Sequence, residues 1–281
     1  NAINWLAHRE TKVTPIEDAR KIVDEQEVVV EGTVTSAAGV FFDSFYLQDE
    51  TGGIMAFQEV PAGSLKLGDK VRIYGHIIKF DNNIEIEFTT FQRDVIKIGS
   101  GPVVQPKLVP TGEATSTENQ GSLVKVKGEI TSVYDDNSYV INDGSGNVLV
   151  FTDGYIAIQS GAVPKLKVGD TLEAVGLSGE FAGGTRIRVR DTKELVGTEK
   201  AIPDVKSLTV NKSTVALEVG ATDQLAVTET TTKADTTSTD ADVTATATYS
   251  GFDTDVISVE AGLITAKAAG TTNITVTVGD N

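Results

Sequence analysis

The chain repeats itself once at the scale of a whole domain, and nothing else in it limits the fold so strongly. "VVVEGTVTS" and "LVKVKGEITS" align Gly32 with Gly128. "FYLQDETGGIMAF" and "YVINDGSGNVLVF" align Asp49 with Asp143 and Phe57 with Phe151. "LKLGDKVRIYG" and "LKVGDTLEAVG" align Asp69 with Asp170 and Gly75 with Gly176. The matched spans, 26–98 and 120–197, are too few and too long for a solenoid and read as a duplicated domain. Between them "GSGPVVQPKLVPTG" carries three prolines, which suits a semi-rigid linker.

Within each copy the apolar residues alternate with period two and are interrupted by Gly, Asp and Asn turns, the signature of strands. The order is strand, strand, turn, strand, L-x-x-G-D turn, strand, strand. Five short strands, with a glycine inside the first to allow a sharp bend, fit a small closed Greek-key barrel. One helical signal stands apart, "TPIEDARKIVDE". It has Thr14 as N-cap, Pro15 at the first helical position and Glu17 completing a capping box. Ile16, Ala19 and Val23 then share one face.

Composition narrows the function classes. Forty acidic against 24 basic residues give the 281-residue chain a net charge of −16, which disfavours indiscriminate duplex binding. The absence of cysteine removes disulfides, thiol catalysis and thiolate metal sites. His8 and His76 are far apart and match no metal-ligand spacing. Neither a nucleophile elbow nor a phosphate-binding glycine loop is present. The expectation is a non-catalytic chain without a cofactor. Calcium is the one ion worth weighing, because Asp143, Ser145 and Asn147 alternate as at the start of an EF-hand loop. Val148 and Gly154 break that pattern at its sixth and twelfth positions, so a plain hairpin turn is the favoured reading. "FDNN" and "YDDN" also read as turns. No run of 18 apolar residues predicts a membrane helix. The opening "NAINWLAHRE", without an initiator Met, reads as cut from a longer protein.

Taken together, V-x-G-x-V-T-S, the aromatic strand ending in Asp, Gly-Gly-hydrophobic and L-x-x-G-D-x-V-x-x-x-G resemble the OB-fold domains of secreted Gram-positive multidomain proteins. Extracellular nucleases and phosphoesterases are among them. The resemblance covers about 14–198, twice over. From Pro203, "VKSLTVNKSTVALEVGATDQLAVT" and "DTDVISVEAGLITAKAAGTTNITVTV" resemble the bacterial Ig-like domain (group 2) of surface proteins and adhesins. Val219-Gly220, Gln224-Leu225, Gly262 and Gly270 carry the match. The family often has a Trp in its central strand where this chain has "TATATYSGF", and "TETTTKADTTSTDADV" reads as an extended polar loop. The opening ten residues resemble the last helix of a glutamine-amidotransferase-like α/β domain. Alternatively, Trp5 and Leu6 cover an open end of the first barrel. The expected class is all-β: two five-stranded OB-type barrels, then an Ig-like sandwich. The domains fall at 1–13 (tail of an upstream domain or N-terminal extension), 14–101, 102–202 and 203–281. Extracellular or cell-wall location follows from the resemblance and the Thr-, Gly- and Asp-rich composition.

OB-folds bind oligonucleotides or oligosaccharides by aromatic stacking and basic residues. Phe45 aligns with Tyr139 and Leu47 with Ile141, so these are expected in the core, as are Phe57 and Phe151. That leaves Phe41, Phe42, Tyr46 and Tyr134 as candidate exposed platforms. "TRIRVRD" adds Arg186, Arg188 and Arg190 on one strand face. Aligning Gly75–Thr89 without gaps onto Gly176–Arg190 puts Glu85, Glu87 and Thr89 at the equivalent places, so a polyanion groove shared by both barrels is disfavoured. A solvated face, a docking contact with an acidic surface such as the other barrel, and a phosphate or acidic-glycan site on the second barrel all fit. Three functions follow: a non-catalytic binding and spacer region of a secreted or surface protein, an accessory single-strand-binding region of an extracellular nuclease, or a purely architectural rod.

Overall fold

The computed structural model describes residues 12–22 and 26–279. Trp5, Leu6, His8 and Val23 therefore lie outside the described residues, as does most of the segment expected at 1–13. Residues up to Lys200 form one compact unit and those from Ala201 a second.

The first unit contains both repeats. The strands of the first are β1 (Glu27–Ser36), β2 (Ser44–Gln48), β3 (Gly53–Phe57), β4 (Asp69–Phe80) and β5 (Asn83–Glu87). They bond in the order β1-β2-β3-β5-β4, and β4 returns to β1, closing the barrel. β3 and β5 run parallel, and the other pairs are antiparallel. After β6 (Val95–Ser100), which adds a sixth strand on β4, the linker forms β7 (Lys107–Leu108). The second barrel repeats the plan with β8 (Leu123–Asp135), β9 (Ser138–Asn142), β10 (Asn147–Phe151), β11 (Thr171–Phe181) and β12 (Gly184–Arg188). β10 and β12 are its parallel pair. β13 (Leu195–Thr198) takes the place of β6, and β7 lies parallel against β8. The sheets thus hold six and seven strands around the five-stranded closures.

The repeat is exact in register as well as in order. Gly32 faces Val71 as Gly128 faces Leu172, and Phe57 faces Glu87 as Phe151 faces Arg188. A Cβ on Gly176 would lie 2.7 Å from the Arg188 carbonyl oxygen, and Gly75 meets Glu87 in the same way. Only glycine fits where β4 and β11 cross so near the fifth strand. Separate cores fill the two barrels. Phe45, Leu47, Ile54, Ile73 and Ile86 are central to the first, and Ile130, Tyr139, Ile141, Leu172 and Ile187 to the second.

The helix expected from "TPIEDARKIVDE" is a single turn, Ile16–Ala19, and Thr14 does not cap it. Its leading amides bond instead to side chains of the β2–β3 turn. Ile16 N–H donates to Asp49 Oδ2 (2.9 Å) and Glu17 N–H to Thr51 Oγ1 (3.0 Å). The second repeat has the same joint, where Thr111 N–H, after Pro110, donates to Asp143 Oδ2 (3.1 Å). The Pro15 and Pro110 segments are therefore equivalent plugs, each pinned by its turn aspartate.

The second unit has three small sheets built from β14 (Val205–Val210), β15 (Thr222–Gln224), β16 (Val227–Thr232), β17 (Ser238–Asp242), β18 (Thr248–Ser250), β19 (Ile257–Glu260), β20 (Leu263–Ala266) and β21 (Thr275–Thr277). Leu225, Val227, Ile264 and Ala266 are its buried apolar residues. "TETTTKADTTSTDADV" is not a loop: it supplies the β16–β17 hairpin, closed by Lys233 N–H to the Thr237 carbonyl (2.9 Å). Threonine favours strands, and cross-strand bonds such as Thr230 Oγ1 to Asp240 Oδ1 (2.7 Å) replace an apolar face. The "TATATYSGF" segment forms β18, which pairs with β21.

Candidate functional site: a cleft between the barrels

Several kinds of contact join the two barrels. An apolar cluster unites Phe41 and Tyr46 of the first with Leu123, Ile156 and Leu177 of the second. Gly121, at φ +77°, sits against Gly53 so tightly that a Cβ on it would lie 2.5 Å from the Gly53 carbonyl carbon. The Arg20 guanidinium donates to the carbonyls of Gly53, Gln120 and Glu118. The β4–β5 hairpin turns on Asp81 and Asn82, both with positive φ, in the manner of a tight two-residue hairpin. Its Asn83 accepts from Glu180 N–H (3.2 Å), while Gln120 bonds to Asn82 and Ile84.

The arginine face of β12 and its extension supplies a further contact. Arg188 stacks 4.0 Å over the Phe41 ring while its Nε donates to Asp153 (2.8 Å) and its Nη2 to the Tyr155 hydroxyl (2.8 Å). Arg190 donates to the Thr35 carbonyl of the first barrel and pairs with Glu194 at 2.6 Å. Neither is a free cation. Arg186 differs: its guanidinium lies 4.4 Å from the Phe181 ring centre and 4.6 Å from that of Phe151, and those rings stack on each other at 6.1 Å. It has no hydrogen-bond or ion-pair partner among the described residues. Burial lowers its pKa.

Next to the interface lies a cleft with a volume of about 460 Å³, in the range of small-molecule pockets. Its walls are aromatic and apolar: Tyr46, Met55, Phe57, Ile78, Phe80 and Phe181. Arg186 and Arg188 enter from the second barrel, and Asp43, Asp81, Glu85 and Glu87 from the first, with Glu180 opposite. The equivalent strands of the two repeats thus bring opposite charges to one cavity. Glu85 is buried and accepts from Asn83 Nδ2 (3.0 Å); burial pushes its carboxyl up to about 7. Ser44 Oγ, also buried at the cleft, has no partner among the described residues.

Several expectations change here. Phe41 and Tyr46, expected as exposed platforms, are 1% and 4% exposed, because the second barrel covers their face of the first. Phe42 remains exposed with its ring 4.4 Å from Tyr155. Tyr134 remains exposed, edge-on to Phe151 at 6.3 Å. Phe57 and Phe151 are half-buried rather than core. Ile54 and Ala56 point inward on β3, so alternation sends Phe57 out to the cleft. The calcium candidates form a turn. The Asp143 carboxylate accepts from the Ser145 and Thr111 hydroxyls and amides, which hold it well below the usual carboxylate range. Asn147 Oδ1 accepts from Asn142 (2.8 Å). Arg20, Asn83 and Gln120, which join the barrels, carried no signal in the sequence beyond their polarity.

The first unit is a pair of closed five-stranded barrels and the chain as a whole is nearly all-β. Residues 204–281 match the bacterial Ig-like domain (group 2), a non-catalytic module that occurs in bacterial surface proteins. Among solved structures, the tetrameric p202 HIN2 is 15% identical and covers 62% of this chain and 94% of its own, with a TM-score of 0.31. A replication protein A heterotrimer bound to ssDNA is 16% identical over 68% of this chain and 52% of its own, at 0.30. The hypothetical protein ygiW from E. coli is 22% identical over 31% and 90%, at 0.27. Scores this low carry no argument about function. No curated protein matches the chain by sequence. No helix among the described residues is long and apolar enough to cross a membrane.

Proposed function

We propose that the chain is a non-catalytic binding and spacer region of a secreted or cell-surface bacterial protein. The tandem barrel holds a sugar unit of a surface glycan in its cleft, and the Ig-like domain serves as spacer. The observation that carries this reading is the chemistry of the cleft. Aromatic rings suit the apolar faces of a sugar ring, and a set of carboxyl acceptors suits its hydroxyl donors. Five acidic side chains against two arginines disfavour a polyphosphate backbone, so the nucleic-acid reading ranks below the glycan one.

The test pairs a glycan array with titration of fluorescent single-stranded DNA at low and high salt. Glycan binding without salt-sensitive DNA binding is the expected result. Salt-sensitive DNA binding with a silent array would replace this reading by the single-strand-binding one, and silence on both would leave an architectural rod.

A further inference from the structure

We infer that Arg186 makes the cleft a site for a sugar bearing one carboxylate, of the uronic-acid type, with the carboxylate held by the guanidinium and the ring against the aromatic wall. The inference rests on the cleft being a glycan site, and it names which glycans enter. Of the cleft's two arginines, Arg188 is committed to Asp153, Tyr155 and the Phe41 ring. Among the described residues Arg186 keeps all its donors unpaired, and the paired rings of Phe151 and Phe181 hold its plane. A planar, fixed fork of N–H donors matches a carboxylate in bidentate fashion. The ring contacts also lower the rotamer entropy that an arginine otherwise loses on binding.

The charge of the surroundings sets the ligand's charge. One unpaired guanidinium neutralises one negative charge. A phosphate would bring a second charge into a cavity already lined by Asp43, Asp81, Glu87 and Glu180, and like charges repel. The remaining polar wall is rich in acceptors, so the rest of the ligand must donate, as ring hydroxyls do. The orphan Ser44 Oγ at the same wall offers a further partner to a ligand oxygen.

The experiment is calorimetric titration of the full chain with glucuronate, glucose and glucose 6-phosphate, repeated on Arg186→Met and Arg186→Lys. Methionine keeps the packing on the rings and removes the charge; lysine keeps the charge and removes the fork. Glucuronate should bind the native chain at least about tenfold more tightly than glucose or the phosphate. Arg186→Met should abolish that preference and Arg186→Lys should weaken it, with native circular dichroism spectra and cooperative urea unfolding of both variants as the check on folding. Equal affinity for glucuronate and glucose would overturn the Arg186 inference and leave the glycan cleft standing. Tighter binding of the phosphate would overturn the single-charge argument. Failure of all three sugars, with a silent array, would overturn both.

Discussion

Replacing Arg188 by methionine and Phe41 by leucine, singly and together, tests the joint between the barrels at its centre. The two residues lie 147 positions apart in sequence but 4.0 Å from guanidinium carbon to ring centre, at a site where the arginine side chain is 16% exposed. Arg188→Met alone leaves Asp153, 17% exposed, without its cation. Stranding a largely buried carboxylate costs about 3 kcal/mol. Phe41→Leu keeps most of the apolar volume and costs about 1 kcal/mol. The pairwise part is the cation–ring attraction, about 1–2 kcal/mol when partly desolvated. The double mutant should therefore be less destabilised than the sum of the singles by that amount. Urea unfolding of the four proteins, followed by circular dichroism, measures it. A coupling below about 0.3 kcal/mol, the additive limit for independent sites, would refute the contact and with it the packing of one barrel on the other.

Two other perturbations separate the electrostatics of the cleft from its framework. Glu85 should make the native chain less stable as pH rises. Its carboxyl titrates at about 7 in the fold against a reference of 4.5, so the folded state holds a proton that the unfolded state has lost between those values. The loss begins above pH 4.5 and is complete past pH 7, amounting to about 3 kcal/mol before screening and about 2 in an open cleft. Glu85→Gln should match the native chain at pH 4 and exceed it in stability at pH 8; equal pH profiles for the two would show that Glu85 is not the group concerned. Asp143→Ala should lower the melting temperature by freeing the Thr111 amide and hydroxyl, while millimolar calcium leaves the native melting temperature unmoved. A rise in that temperature with calcium would make Asp143, Ser145 and Asn147 an ion site.

The barrels were legible because duplication doubles the signal. Each glycine and aspartate of the L-x-x-G-D turn has a partner 101 residues on, and the strand registers agree position by position. Alternation in β3 already contained the outward aim of Phe57, since Ile54 and Ala56 occupy the inward places. The repeat pairs Phe57 with Phe151, but period two, not the pairing, sets which face each ring takes. The burial of Phe41 and Tyr46 was beyond reach, because it depends on how one barrel docks on the other. The sign reversal from Glu85 and Glu87 to Arg186 and Arg188 was visible in the alignment. That the two strands meet at one cavity was not, since no local pattern encodes the angle between barrels. The β16–β17 hairpin leaves no alternating apolar signal in the sequence, because its strands are mostly Thr, Ser, Asp and Glu.

The proposed binding function requires the two barrels to be one body with a fixed cleft. The chain has no cysteine, so spin labels can be placed singly without background. With labels at Glu59→Cys and Lys193→Cys, exposed positions on the first and second barrels, double electron–electron resonance should give one narrow distance distribution, unchanged by salt. A broad or multi-peaked distribution would mean that the barrels move independently, and a cleft built from both would not exist.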